Sequence, residues 1–178
     1  MTRSRRLWVP LLVGLLVAAL LGPTAGRAAP TLEPRIVIAA LMIPAAAFGI
    51  GDGTVDNAGF AMKPDGPSAA GAIAALSFPV SEVNIRRITL YAYDNNAGGS
   101  VTVSLMRSDP KEDPVAPITQ GWVGTSGAST MQPQVATTTD ISPRRVNTAI
   151  HASFLEVSMA PGTHLYGVKI NYSYESVP

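Results

Sequence analysis

The 178-residue chain contains no cysteine, which excludes both disulfides and a lipid-modified cysteine near its start. Its only histidines are His151 and His164, and catalytic zinc usually takes three protein ligands, so no metal site is expected. Basic side chains are sparse as well. Beyond residue 28, Arg86-Arg87 and Arg144-Arg145 are the only basic pairs, and alternation along a strand should send Arg86 and Arg87 to opposite faces. Nucleic-acid binding rests on clustered Lys and Arg and therefore has no electrostatic support. The sequence also lacks a Walker loop, a dinucleotide fingerprint and a flavin motif, so no cofactor is expected. The nearest approach to a G-x-S-x-G elbow, Gly124-Thr125-Ser126-Gly127-Ala128, fails at its last residue. No catalytic residues are assigned. Because a triad is a spatial arrangement, a small secreted hydrolase joining His151 or His164 to Ser and Asp stands as an alternative reading. A paired-carboxylate glycosidase would draw on Glu82, Glu156 or Asp94, whose separations a sequence does not give.

What the chain does have begins with an export signal. Arg3, Arg5 and Arg6 form a positive start, residues 7–21 are almost unbroken apolar sequence, and Gly22-Pro23 ends any helix. Small residues at Gly26, Ala28 and Ala29 then suit a signal peptidase, so residues 1–28 are expected to be a signal peptide, with cleavage after Ala28 or Ala29. Ser4-Arg5-Arg6-Leu7-Trp8 faintly resembles a twin-arginine signal, but the strongly apolar core suits the general route better. The apolar run is about 15 residues, shorter than the roughly 20 that span a bilayer, which argues against a retained anchor. Removing Arg3, Arg5, Arg6 and Arg27 leaves nine basic against twelve acidic side chains, a net charge of about −3.

The expected secreted part, residues 29–178, suits one domain with a core large enough to stand without disulfides or metal. Its clearest segment is residues 85–107, IRRITLYAYDNNAGGSVTVSLMR. Ile88, Leu90 and Ala92 alternate with Thr89, Tyr91 and Tyr93, and Val101, Val103 and Leu105 alternate with Ser100, Thr102 and Ser104. Period-two alternation marks strands with one buried face. The Asp-Asn-Asn-Ala-Gly-Gly stretch between them favours a turn, so a β-hairpin is expected here. Residues 35–42 (RIVIAALM), fenced by Pro34 and Pro44, read as a buried strand, and residues 49–71 as an irregular connection. Short strands are expected over 72–78, 119–124 and 134–139, with loops over 108–117 and 125–132. Two longer strands, 148–158 and 164–174, flank the turn signal Ala160-Pro161-Gly162-Thr163, which is short enough for them to pair. Seven to nine strands with turn signals every ten or so residues give the fold class: all-β, a single antiparallel β-sandwich or jelly-roll-like domain.

Three stretches resemble a family of secreted bacterial β-sandwich proteins with no assigned function. They are Ile43-Pro44-Ala45-Ala46-Ala47-Phe48; Leu76-Ser77-Phe78-Pro79 running through Leu90-Tyr91-Ala92-Tyr93-Asp94-Asn95 to Val101-Thr102-Val103-Ser104-Leu105; and Leu165-Tyr166-Gly167-Val168-Lys169-Ile170-Asn171-Tyr172. The resemblance implies that the Tyr-Asp-Asn segment ends a strand and that the last stretch is the closing strand. It implies no catalytic residue.

Candidate ligand contacts are aromatic. Tyr91 and Tyr93 share a face of one strand, and alternation places Tyr166, Tyr172 and Tyr174 on one face of the last. Trp122 is the only tryptophan outside the signal. Tyr91, Tyr93, Trp122, Tyr166 and Tyr172 are therefore the candidate binding residues, either stacking on sugar rings or filling a half-buried face. Asp94-Asn95-Asn96 and the stretch from Asp52 to Asn57 collect oxygens that a structural calcium would use. Neither has the calcium-loop spacing, and turn chemistry explains both. The functional expectation is a secreted, non-enzymatic protein acting by binding or assembly outside the cytoplasm. A carbohydrate-binding module that uses exposed tyrosines is the first alternative. An extracellular glycan or a protein is the partner class left open, and self-association through a sheet edge is the assembly route.

Overall fold

The computed structural model describes residues 33–109, 116–126 and 132–176. The expected signal peptide and the tips of the loops over 108–117 and 125–132 lie outside the described residues. Residues 34–177 form one compact unit. Its described residues contain twelve strands: β1 (Arg35–Pro44), β2 (Gly49–Asp52), β3 (Val55–Asn57), β4 (Met62–Pro64), β5 (Ala70–Leu76), β6 (Glu82–Asp94), β7 (Val101–Ser108), β8 (Ile118–Gly124), β9 (Pro133–Thr138), β10 (Arg145–Asn147), β11 (Ala152–Met159) and β12 (Thr163–Ser176). One 3-10 turn, Ala45–Ala47, follows β1. The stretch read as irregular between residues 49 and 71 in fact holds β2, β3 and β4. At three or four residues each, these strands are too short to show a period.

Every strand pairing is antiparallel, and the strands form two sheets. The five-stranded sheet runs β2-β5-β11-β7-β8. The seven-stranded sheet runs β10-β6-β12-β4-β3, with β9 also on β6 and β1 also on β12. The sheets meet across one core. Ile85, Ile88, Leu90, Ala92, Leu165, Val168 and Ile170 face Ala72, Val101, Val103, Leu105, Leu155, Val157 and Met159, all fully buried. Large aliphatic side chains of this kind contribute about 1.5–3 kcal/mol each, which accounts for a stable sandwich without cross-links. The expected β-sandwich is therefore the observed fold, and the inward faces read for β6 and β7 are the buried ones.

The expected hairpin does not form. β6 lies in the seven-stranded sheet and β7 in the five-stranded one, so residues 95–100 carry the chain from one layer to the other. The last two strands also part: β11 pairs with β5 and β7, and β12 pairs with β6, β1 and β4. In both cases the two inward faces oppose each other across the core instead of lying side by side in one sheet.

These two crossings lie together and are bonded to each other. Asn95 N–H donates to Gly162 O (3.4 Å), Ala160 N–H to Ser100 O (3.0 Å) and Asn96 Nδ2 to Pro161 O (2.9 Å). Their approach needs a glycine: a Cβ on Gly99 would come within 2.4 Å of the Ala160 Cβ. The Asp94 carboxylate, fully buried, accepts from Asn96 N–H (3.0 Å) and from the Thr125 hydroxyl. Gly53 N–H likewise donates to Asp52 Oδ1 (2.8 Å) and Gly59 N–H to Asn57 Oδ1 (3.0 Å), the turn chemistry expected of those loops.

β1 is not the buried strand its composition suggests. It pairs only with β12, and Ile36, Ile38 and Met42 on its outer face are 67%, 66% and 54% exposed. In a two-layer antiparallel sandwich each strand packs one face on the core and leaves the other to solvent.

Candidate functional site

The outer face of the seven-stranded sheet brings together Tyr91, Tyr93, Tyr166, Lys169, Arg86 and Arg87. Reading across β9, β6, β12 and β1, the first row is Pro133, Tyr93 and His164. The next is Val135, Tyr91, Gly167 and Pro44, followed by Thr137, Thr89, Lys169 and Met42, then Arg87, Asn171 and Ala40. Tyr91, Tyr93 and Tyr166 are half-buried here. The Tyr93 and His164 rings lie 5.2 Å apart.

Two bulges build this face. Along β12 the register steps from Leu165↔Ala92 to Gly167↔Tyr91, so Tyr166 is an extra residue. Leu165 and Val168 both point into the core, which leaves Tyr166 and Gly167 on the outer side together. Gly167 lets β1 approach, since a Cβ there would sit 2.7 Å from the Ile43 carbonyl oxygen. Along β6 the register steps from Arg87↔Asn171 to Ile85↔Tyr172, so Arg86 is the extra residue. Ile85 and Ile88 are buried, and Arg86 and Arg87 both leave on the outer face, exposed. The alternation argument that separated these two arginines is thus overturned by one inserted residue.

Around this second bulge lies an open hollow of about 690 Å³ lined by Asn84, Arg86, Arg87, Thr139, Arg144 and Asn171. A neighbouring hollow of about 450 Å³ shares Asn84 and Arg86 and adds Glu82, Arg145 and Glu175. Arg145 Nη2 donates to Glu82 Oε2 at 2.5 Å, and this contact raises the Arg145 pKa above the ordinary guanidinium value.

The candidate residues do not form one strip. Tyr91, Tyr93 and Tyr166 come together, but the bulge breaks the alternation expected to join Tyr166 to Tyr172. Tyr172 is 6% exposed, edge-on to Phe78 at 5.0 Å and stacked with Tyr174 at 6.2 Å, and so belongs to the core. Trp122 is 64% exposed but sits on β8, on the outer face of the five-stranded sheet, in a row with Ser104, Glu156 and Ile73. The histidines are also apart, His164 on β12 and His151 just before β11 in the opposite sheet. His151 Nδ1 is 3.8 Å from Asp109 Oδ2, and neither imidazole hydrogen-bonds a serine among the described residues. Lys169 and Asn171 were not singled out from the sequence. His164 was weighed there only as a metal ligand or hydrolase residue. The arginine pairs were noted only as too divergent to make one basic patch.

Partial burial, reinforced by the Lys63 charge, lowers the His164 pKa from 6.5. The native state therefore takes up this proton less readily than the unfolded chain. Stability should fall as the pH drops through about 6.5, levelling off below the native value, with no contribution well above it. Melting temperatures at pH 7.5 and 5.5 test this: His164→Gln should lose less on acidification than the parent. Equal losses in both proteins would refute it.

No protein-family model and no curated protein matches this sequence. Solved structures with a similar fold include the C-terminal CBM6 of the laminarinase LamC from Zobellia galactanivorans, at 14% identity and a TM-score of 0.47, covering 74% of this chain and 98% of that one. The xylan-binding module CBM15 gives 12% identity and 0.47, covering 76% and 97%. The CBM36-1 domain of a xylanase from the hindgut metagenome of Trinervitermes trinervoides gives 14% and 0.45, covering 74% and 96%.

Proposed function

We propose that the protein is exported, that residues 1–28 are its signal and residues 29–178 its secreted domain, and that it binds a glycan without catalysis on the outer face of the seven-stranded sheet. The observation that carries this reading is the placing of Tyr91, Tyr93 and Tyr166 on one face beside Thr137, Lys169 and Asn171. Aromatic rings offer apolar surface to the faces of sugar rings, and neighbouring amide, hydroxyl and ammonium groups bond their hydroxyls. Among the described residues no helix is long and apolar enough to cross a membrane.

The test is calorimetric titration of the protein with a panel of soluble neutral polysaccharides. Covering half a ring is worth roughly 1 kcal/mol, so Tyr91→Ala with Tyr166→Ala should weaken binding by about tenfold or more. Trp122→Ala, on the opposite sheet, should leave it unchanged. If Trp122→Ala abolishes binding and the tyrosine pair does not, the site is on the five-stranded sheet and this reading fails.

A further inference from the structure

The hollow at the β6 bulge carries three cations and no anion. Arg86, Arg87 and Arg144 line it together with the neutral Asn84, Thr139 and Asn171. Among the described residues no carboxylate pairs with any of the three, whereas the adjacent Arg145 is taken up by Glu82. The chain outside its expected signal has fewer basic than acidic side chains, so compensation was available and is absent at this place. Like charges held side by side on a sheet repel, and a bound anion removes that penalty.

The arginines are held in place. Arg86 Nε donates to Ser173 Oγ at 3.0 Å, and Arg144 Nη2 to Thr139 O at 2.8 Å. Arg144 is itself set beside the bulge by its carbonyl, which accepts from Ile85 N–H at 2.8 Å. A guanidinium has five N–H donors in a planar fork, so each of these two keeps several to spare, and the Arg87 guanidinium makes no hydrogen bond among the described residues. Planar forks of this kind match the two oxygens of a carboxylate or sulfate. Asn171 lies opposite Arg87 in the ladder, and its amide adds a further donor. The hollow continues the tyrosine face: Arg87 and Tyr91 stand four residues apart on β6, roughly 13 Å along the strand.

From these observations we infer that the Arg86–Arg87–Arg144 hollow binds the carboxylate or sulfate groups of an acidic polysaccharide whose sugar rings lie along the tyrosine face. This names the ligand class for the site proposed above and rests on that reading for its glycan part.

The experiment titrates the full-length protein with polygalacturonate, dextran sulfate, neutral dextran, inorganic sulfate and a single-stranded oligonucleotide, each at low and at high sodium chloride. One acidic polysaccharide should bind at least tenfold more tightly than neutral dextran, and salt should weaken it, since exposed charge pairs are screened. Whichever is tighter, polygalacturonate or dextran sulfate, identifies carboxylate or sulfate as the group. Arg86→Gln, Arg87→Gln and Arg144→Gln combined should erase that preference at an unchanged melting temperature, while Arg35→Gln with Arg107→Gln should not. A preference that survives the triple substitution, or that the control pair also erases, overturns the inference. So does inorganic sulfate competing as well as the polymer, weight for weight, because the site would then take a free anion. Tightest binding by the oligonucleotide would assign the patch to nucleic acid instead. Failure of the two readings is distinguishable: neutral-glycan binding lost only in the Tyr91→Ala, Tyr166→Ala protein, with no acidic preference, keeps the tyrosine face and removes the arginine site.

Discussion

Leu90→Ala should lower the stability of the fold by about 2–5 kcal/mol, the range for deleting a fully buried leucine side chain. Leu90 has no exposed surface and lies near the middle of β6, with Val168 of β12 on one side and Ala136 of β9 on the other. Both neighbours are fixed in their ladders, so the space left behind has little means of collapsing. At about 2–4 °C per kcal/mol for a domain of this size, the melting temperature should drop by roughly 4–20 °C. Val135→Ala, on the exposed outer face of β9, should change stability by about 0.5 kcal/mol or less. Thermal and urea unfolding of both variants test the assignment of inward and outward faces. A drop below about 1 kcal/mol for Leu90→Ala would show that the interior of this sheet is not packed as described.

Asp94→Ala should be nearly as damaging, for a different reason. The buried carboxylate accepts from Asn96 N–H and from the Thr125 hydroxyl, and Thr125 Oγ1 in turn accepts from Val101 N–H at 3.0 Å. Thr125 N–H also donates to Val101 O at 2.9 Å. This short chain of bonds ties the end of β6 in one sheet to the start of β7 and the end of β8 in the other. Alanine would leave a part-buried hydroxyl and a part-buried amide N–H without acceptors, each costing toward the low end of about 1–3 kcal/mol because water reaches them in part. The expected total is about 2–4 kcal/mol by urea unfolding. Asp94→Asn keeps one acceptor oxygen and can donate to the Thr125 oxygen, so it should cost clearly less. If alanine and asparagine prove equally mild, the connection is not held by this carboxylate. A double-mutant cycle with Thr125→Val isolates the pairwise part.

The strands were legible wherever alternation ran unbroken. Ile88, Leu90 and Ala92, then Val101, Val103 and Leu105, announce their buried faces because a pleated strand has a period of two and nothing interrupts it. Pairing was less legible. The Asp94 to Ser100 stretch has turn residues, but its length and the buried Asp94 serve a crossing between layers, and a local pattern does not say which sheet the next strand joins. β1 misled for a related reason: an apolar run states what a strand contains, while its place at the edge of the sheet is decided by the partner it lacks. The site was hidden at its bulges. One extra residue at Tyr166 and another at Arg86 each reverse the in-out parity of the rest of their strand, and no residue type marks either position. Tyr91 and Tyr93 could therefore be placed correctly, while Tyr172 was assigned to the wrong face and the arginine pair was separated.

The position of β12 has a consequence for how the molecule comes into being. The last described strand is an inner strand of its sheet, flanked by β6 along one side and by β1 and β4 along the other, and Arg35 pairs with Ser176. Until those final residues have left the ribosome, β1 has no ladder to join and one side of β6 stays open. The five-stranded sheet needs no part of β12, but the seven-stranded sheet closes only when β12 arrives. Such long-range closure is intrinsically slow.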